Sequence, residues 1–110
     1  MTQEPFNKIR MQMSAYPDNF EAYELLWYES AAKIRNRLYK EGKREEAHEV
    51  FKLIKRMWEL FSQFKYDYYM IRQCDDTRWH VYTKKHHFVD IGAYRNDLTE
   101  KYPNCLVIGD

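Results

Sequence analysis

The chain has 110 residues, of which 45% are hydrophobic and 17% aromatic, with only three Gly and three Pro. That is enough for one domain with a sizeable core, so neither a disulfide framework nor a metal staple is required. Eighteen basic against seventeen acidic side chains give a formal net charge of +1, which argues against both a broadly cationic nucleic-acid binder and an acidic mimic of one.

The start, Met-Thr-Gln-Glu-Pro, has no basic segment followed by an apolar core, so no secretory signal is read there. No apolar stretch approaches the ~20 residues that cross a bilayer. With Cys74 and Cys105 as the only cysteines, a reduced, cytoplasmic protein is expected. Pro5 suits the first turn of a helix that puts Phe6, Ile9 and Met13 on one face and ends before Tyr16-Pro17. Asp18 and Glu21 have the spacing of a capping box and open a second helix. Its apolar face reads Phe20, Tyr23, Leu26, Trp27, Ala31, Ile34 and Leu38, and Gly42 ends it.

From Lys43 to Gln73 there is no glycine or proline. Ala47, Val50, Phe51, Ile54, Met57, Trp58, Phe61, Phe64, Tyr68 and Ile71 recur at steps of three and four. The spacing predicts one long helix with a buried stripe that turns aromatic towards its end. The short connection at Gly42 folds it back on the preceding helix as an antiparallel hairpin. The segment Leu38-Tyr39-Lys40-Glu41-Gly42-Lys43-Arg44-Glu45-Glu46-Ala47, with Ala31 before it and Phe51 after it, resembles the helix-turn-helix of one tetratricopeptide repeat. The likeness covers residues 31–57. It implies a tightly packed helical pair, and interaction more than catalysis.

After a break at Cys74-Asp75-Asp76-Thr77, the residues Arg78 to Thr83 alternate as in a strand, and His86 to Ile91 form a second extended run. A two-residue turn at Lys84-Lys85 predicts Trp79, Val81 and Phe88 on one face, with Tyr82, His87 and Val89 on the other. Gly92 to Tyr102 reads as a helix stopped by Pro103, and Cys105 to Ile108 as a short buried strand. The fold class is therefore α+β and mostly helical: a helical hairpin over residues 1–73, then a β-hairpin, helix and strand over 74–110, all in one domain.

No catalytic constellation is complete. Ser14, Ser30 and Ser62 lack a glycine-rich elbow, Cys105 sits in an apolar strand, and no phosphate-binding glycine loop is present. No enzymatic activity and no cofactor are expected. Cys74, Asp75, Asp76, His80, His86, His87 and Asp90 are of metal-ligating type, but their spacing fits no zinc finger or ribbon. A metal-dependent hydrolase around Asp75, Asp76 and His80 is the third-ranked reading.

Residues 31–72 hold eleven basic and six acidic side chains. Arg35, Arg37, Lys40, Lys43, Arg44, Lys52, Lys55 and Arg56 offer a path for phosphates, with Tyr66, Tyr68, Tyr69, Trp79 and Tyr82 for stacked bases. Glu41, Glu45, Glu46, Glu49 and Glu59 interleave with them and dilute that field. Nucleic-acid binding is thus the alternative. The leading reading is a regulator, inhibitor or adaptor that occludes another protein, or pairs with a second copy of itself, through Trp58, Phe61, Tyr66, Tyr68, Tyr69 and Tyr82. Such economy is compatible with an accessory protein of a phage or other mobile element.

Overall fold

Gly42 sets the first corner of the fold. The computed structural model describes residues 20–72 and 77–109, beginning with helices α1 (Phe20–Lys40) and α2 (Arg44–Leu60). Gly42 adopts φ +83°, Lys43 N–H donates to the Leu38 carbonyl at 2.9 Å, and Gly42 N–H to that of Tyr39 at 3.0 Å. These are the paired bonds of a Schellman turn, which needs a left-handed residue where glycine pays no Cβ penalty. The small side chains of Ala31 and Ala47 are buried in the core between the layers, as the hairpin reading requires. The helix expected around Phe6, the Asp18 cap and the break at Cys74 to Asp76 lie outside the described residues.

The second helix is shorter than its spacing predicts. It ends at Leu60 rather than Gln73, because Phe61 leaves helical geometry at φ −134°, ψ −56°, and a single 3-10 turn, Ser62–Phe64, follows. Ser62 is fully buried. It donates to Glu24 Oε2 at 2.7 Å and so accepts from the Tyr28 hydroxyl at 2.8 Å. Lys65 reaches the other oxygen of Glu24 at 3.3 Å. A carboxylate buried this deeply on α1 needs such donors, and supplying them anchors the chain where α2 stops. Beyond the turn, Tyr68–Arg72 is a strand; its aromatic and β-branched residues suit a pleated surface, and their helical spacing is incidental.

Strands β1 (Tyr68–Arg72), β2 (Trp79–Thr83), β3 (Phe88–Gly92) and β4 (Cys105–Ile108), with α3 (Arg95–Lys101) before β4, complete the described elements. The sheet order is β3-β2-β1-β4. β1 and β2, and β2 and β3, pair antiparallel, whereas β4 lies parallel to β1. Alternation along the strands builds two cores. On the helix face Tyr69, Ile71, Leu106 and Ile108 pack against residues of α1 and α2 that include Tyr28, Ile54, Met57 and Trp58. On the other face Met70, Trp79 and Val81 meet Leu98 of α3. Gly92 permits that approach, since a Cβ there would stand 3.2 Å from Leu98.

The hairpin differs from its expected form. His86 N–H donates to the Thr83 carbonyl at 3.0 Å and Thr83 N–H to that of His87 at 2.9 Å, with His86 at φ 67°. This is a three-residue loop closed by a left-handed residue, not a two-residue turn at Lys84-Lys85. A bulge follows: Val81 pairs with Asp90 but Tyr82 with Phe88, so Val89 is the extra residue. The third loop residue shifts the pairing by one and sets Phe88 opposite Tyr82, so it shares the face of Tyr82, not that of Trp79 and Val81. Among the described residues, no helix is long and apolar enough to cross a membrane.

Candidate functional site

The helix-face core takes its buried strand residues from β1 and β4, with Tyr82 of β2 only partly buried at its margin. The same face continues across β2 and β3, where His80 pairs with Ile91 and Tyr82 with Phe88. A column of rings runs outward along it. Trp58 meets Tyr69 with ring centroids 4.7 Å apart, Tyr69 stacks on Tyr82 at 5.3 Å and 23°, and Tyr82 meets the edge of Phe88 at 6.1 Å. Phe88 also contacts His80 at 5.7 Å. Exposure rises along this path, from 0% at Trp58 and 1% at Tyr69 to 54% at Phe88. Offset and edge-to-face geometries of this kind are the favourable ones for ring pairs.

The hairpin loop is fixed to α2 at the inner end of the column. Trp58 Nε1–H donates to the Lys84 carbonyl at 3.1 Å. The Tyr69 hydroxyl lies 2.6 Å from His86 Nδ1, and His86 Nε2 lies 2.9 Å from Glu59 Oε1. Burial, reinforced by Tyr82 and Glu59, pushes the Tyr69 hydroxyl above its ordinary pKa. The hydroxyl therefore stays protonated, and its contact with Nδ1 and that of Nε2 with Glu59 engage both ring nitrogens of His86. Bonds on both sides of the ring hold His86 in a backbone region that a non-glycine residue rarely visits. The rim of the loop is basic, with Lys85 and His87 exposed and Lys84 3.6 Å from Asp67.

Of the six aromatic residues expected at a protein interface, only Tyr82 belongs to this open shelf. Trp58 and Tyr69 are core residues. Phe61 and Tyr66 pack half-buried against the same core. Tyr68 lies on the opposite face of the sheet, where its ring meets Tyr102 at 4.9 Å. Phe88, His80 and Ile91 complete the shelf instead. The two-residue turn expected at Lys84-Lys85 places Phe88 with Trp79 and Val81; the three-residue loop moves it to this face.

Five of the eight basic residues are engaged locally. Arg35 is buried and donates to the Arg72 carbonyl. Lys43 pairs with Glu41 at 2.7 Å, and Lys52 with Glu49 at 3.0 Å. Arg44 lies over Tyr39 at 5.2 Å and Lys55 over Phe51 at 5.3 Å, while Arg37, Lys40 and Arg56 are exposed. The histidines are separated. His80 packs on Phe88, His87 is exposed, and Asp90 faces α3, where Lys101 Nζ lies at 2.9 Å and Tyr102 donates at 3.0 Å. Among the described residues no three His, Cys, Asp or Glu come together as a metal site. Burial pushes the Cys105 thiol up to about 12, so it is neutral and behaves as part of an apolar wall.

No protein-family model, curated protein or solved structure matches the chain.

Proposed function

We propose that this chain is a non-catalytic protein-binding module that regulates or inhibits a partner by occlusion, using the aromatic shelf of β2 and β3. The observation that carries the reading is Phe88, exposed at the open end of a ring column whose inner end is core. Covering the exposed half of such a ring contributes about 0.8–1.5 kcal/mol, as half of a full Phe burial. Tyr82 is already held between Tyr69 and Phe88, so a partner that seats there costs little side-chain entropy. Rigid aromatic anchors of this kind dominate the energetics of many interfaces. The expected setting is the cytoplasm, and the partner is a foreign protein or a second copy of the chain.

Affinity capture from nuclease-treated extract of the cells that naturally make the protein tests the reading, with wild type and Phe88→Asp compared side by side. Wild type retains a defined protein, or light scattering shows a dimer, and Phe88→Asp loses that association while melting at the same temperature. An association unaffected by Phe88→Asp, or a monomer that retains nothing, overturns it.

A further inference from the structure

The opposite edge of the sheet carries a different feature. Among the described residues β4 is hydrogen-bonded to β1 on one side only, and its other side opens into a groove of about 360 Å³. That volume lies within the range of ligand pockets. Leu25 and Glu29 of α1, with Tyr66, wall it on the helix face; Arg95 at the start of α3 borders it on the other, and Cys105 and Val107 line its floor.

Exposed edges are usually blunted by a charge, a proline or a bulge. Cys105-Leu106-Val107-Ile108 has no charged residue and no proline, and its pairing with β1 runs regularly from Tyr68↔Cys105 to Ile71↔Ile108. Among the described residues nothing pairs with this edge and no bulge interrupts it, and the groove beside it accommodates side chains. The charges of the groove are not balanced. Glu29 is paired with Lys33 at 2.9 Å, whereas Arg95 is exposed and makes no ion pair among the described residues. Among the described residues, Arg95 is thus a groove cation without an ion-pair partner.

From this geometry we infer that the β4 edge binds an extended segment of a partner protein as an added strand, with an acidic side chain of that segment held by Arg95. The site is independent of the aromatic shelf. Main-chain bonds to β4 supply affinity and the groove walls supply selectivity. Side chains of an added strand alternate between faces. An apolar residue that enters between Leu25 and Tyr66 must then lie at an odd separation from the acidic residue that meets Arg95.

Random peptides displayed on phage and selected on the full chain provide the probe. Enriched sequences should place an apolar and an acidic residue at odd separation. Synthesised and measured by fluorescence anisotropy, they should bind Arg95→Glu at least about tenfold more weakly, since the swap turns an attraction into a repulsion. Phe88→Asp should bind them as wild type does, which separates this site from the shelf. Methylating the backbone nitrogens of one alternating set of peptide residues should abolish binding, while methylating the other set should not. Arg95→Glu keeps its fold, because an acid at the first turn of α3 suits the helix dipole; circular dichroism verifies this. The inference is overturned by a selection with no enriched family, by binding indifferent to Arg95→Glu, by insensitivity to both methylation patterns, or by a wild-type dimer that Val107→Lys dissociates.

Discussion

The two ends of the aromatic column are built from the same kind of residue and do opposite work. At the inner end, Trp58 and Tyr69 are enclosed, hydrogen-bonded and surrounded by α1, α2 and the sheet. At the outer end, Tyr82 is half-covered and Phe88 stands mostly in solvent. Rings in one contiguous stack thus divide into an enclosed part and a part that ends in an exposed ring. The difference is set by how far the helices reach across the sheet, not by ring chemistry.

The most severe way to break this contrast is to truncate one ring at each end. Trp58→Ala should cost about 3–5 kcal/mol through the cavity it leaves, enough to unfold much of a protein of ordinary stability. Phe88→Ala should cost less than about 1 kcal/mol, as expected where a side chain is mostly exposed. Urea unfolding of the two variants measures both, and comparable losses would erase the distinction between the ends.

A smaller effect probes the loop that joins them. His86→Ala removes two side-chain hydrogen bonds and leaves a Cβ at φ 67°, for an expected loss of about 2–3 kcal/mol. His86→Gly loses the same bonds but relieves the backbone, so it should recover about 1 kcal/mol of that loss. Thermal melts that rank His86→Gly below His86→Ala would show that the left-handed backbone costs nothing here. Tyr69→Phe, which deletes only the hydroxyl facing Nδ1, should fall between wild type and His86→Ala.

The smallest effect lies on the other face of the sheet and should leave the column untouched. The bond from Lys101, joined by those from Ile91 N–H and Tyr102, holds the Asp90 carboxyl below the usual carboxylate range. A group whose folded-state pKa is depressed stabilises the fold above its unfolded value and loses that contribution as pH falls through the folded one. Wild type should therefore lose a small increment of stability below about pH 4 that Asp90→Asn does not lose. The same pairing raises Lys101, so its share disappears as pH rises beyond the ordinary lysine range. Stability measured across pH for both proteins tests the pair, and parallel profiles would reject it.

The helical hairpin was legible because its determinants are local: Gly42 closes a turn whose bonds span only a few residues. The end of α2 was not, because the groups that anchor the chain there include Glu24 and Tyr28, far back on α1. Tyr68 and Ile71 satisfied helical spacing and strand preference together, and tertiary pairing with β2 and β4 decided between them. The loop at His86 carries no glycine to announce a left-handed residue; its support comes from Glu59 and Tyr69. That three-residue loop in turn hid Phe88 from the expected interface. Tyr82 was legible as a surface candidate, whereas Trp58 was misplaced because a ring stripe reads alike in a core and at an interface.

The parallel pairing of β4 with β1 has a consequence in time as well as in space. Tyr68 finds Cys105 across the intervening β2, β3 and α3, so this contact closes a long loop and is slow compared with the hairpins. During synthesis the helices and the β1-β2-β3 meander leave the ribosome first. The floor and the open edge of the groove come into being only when the stretch through Gly109 has emerged and docked. Occupancy of that groove would thus mark a docked β4, and a nascent chain still lacking that stretch would be invisible to any partner that reads it.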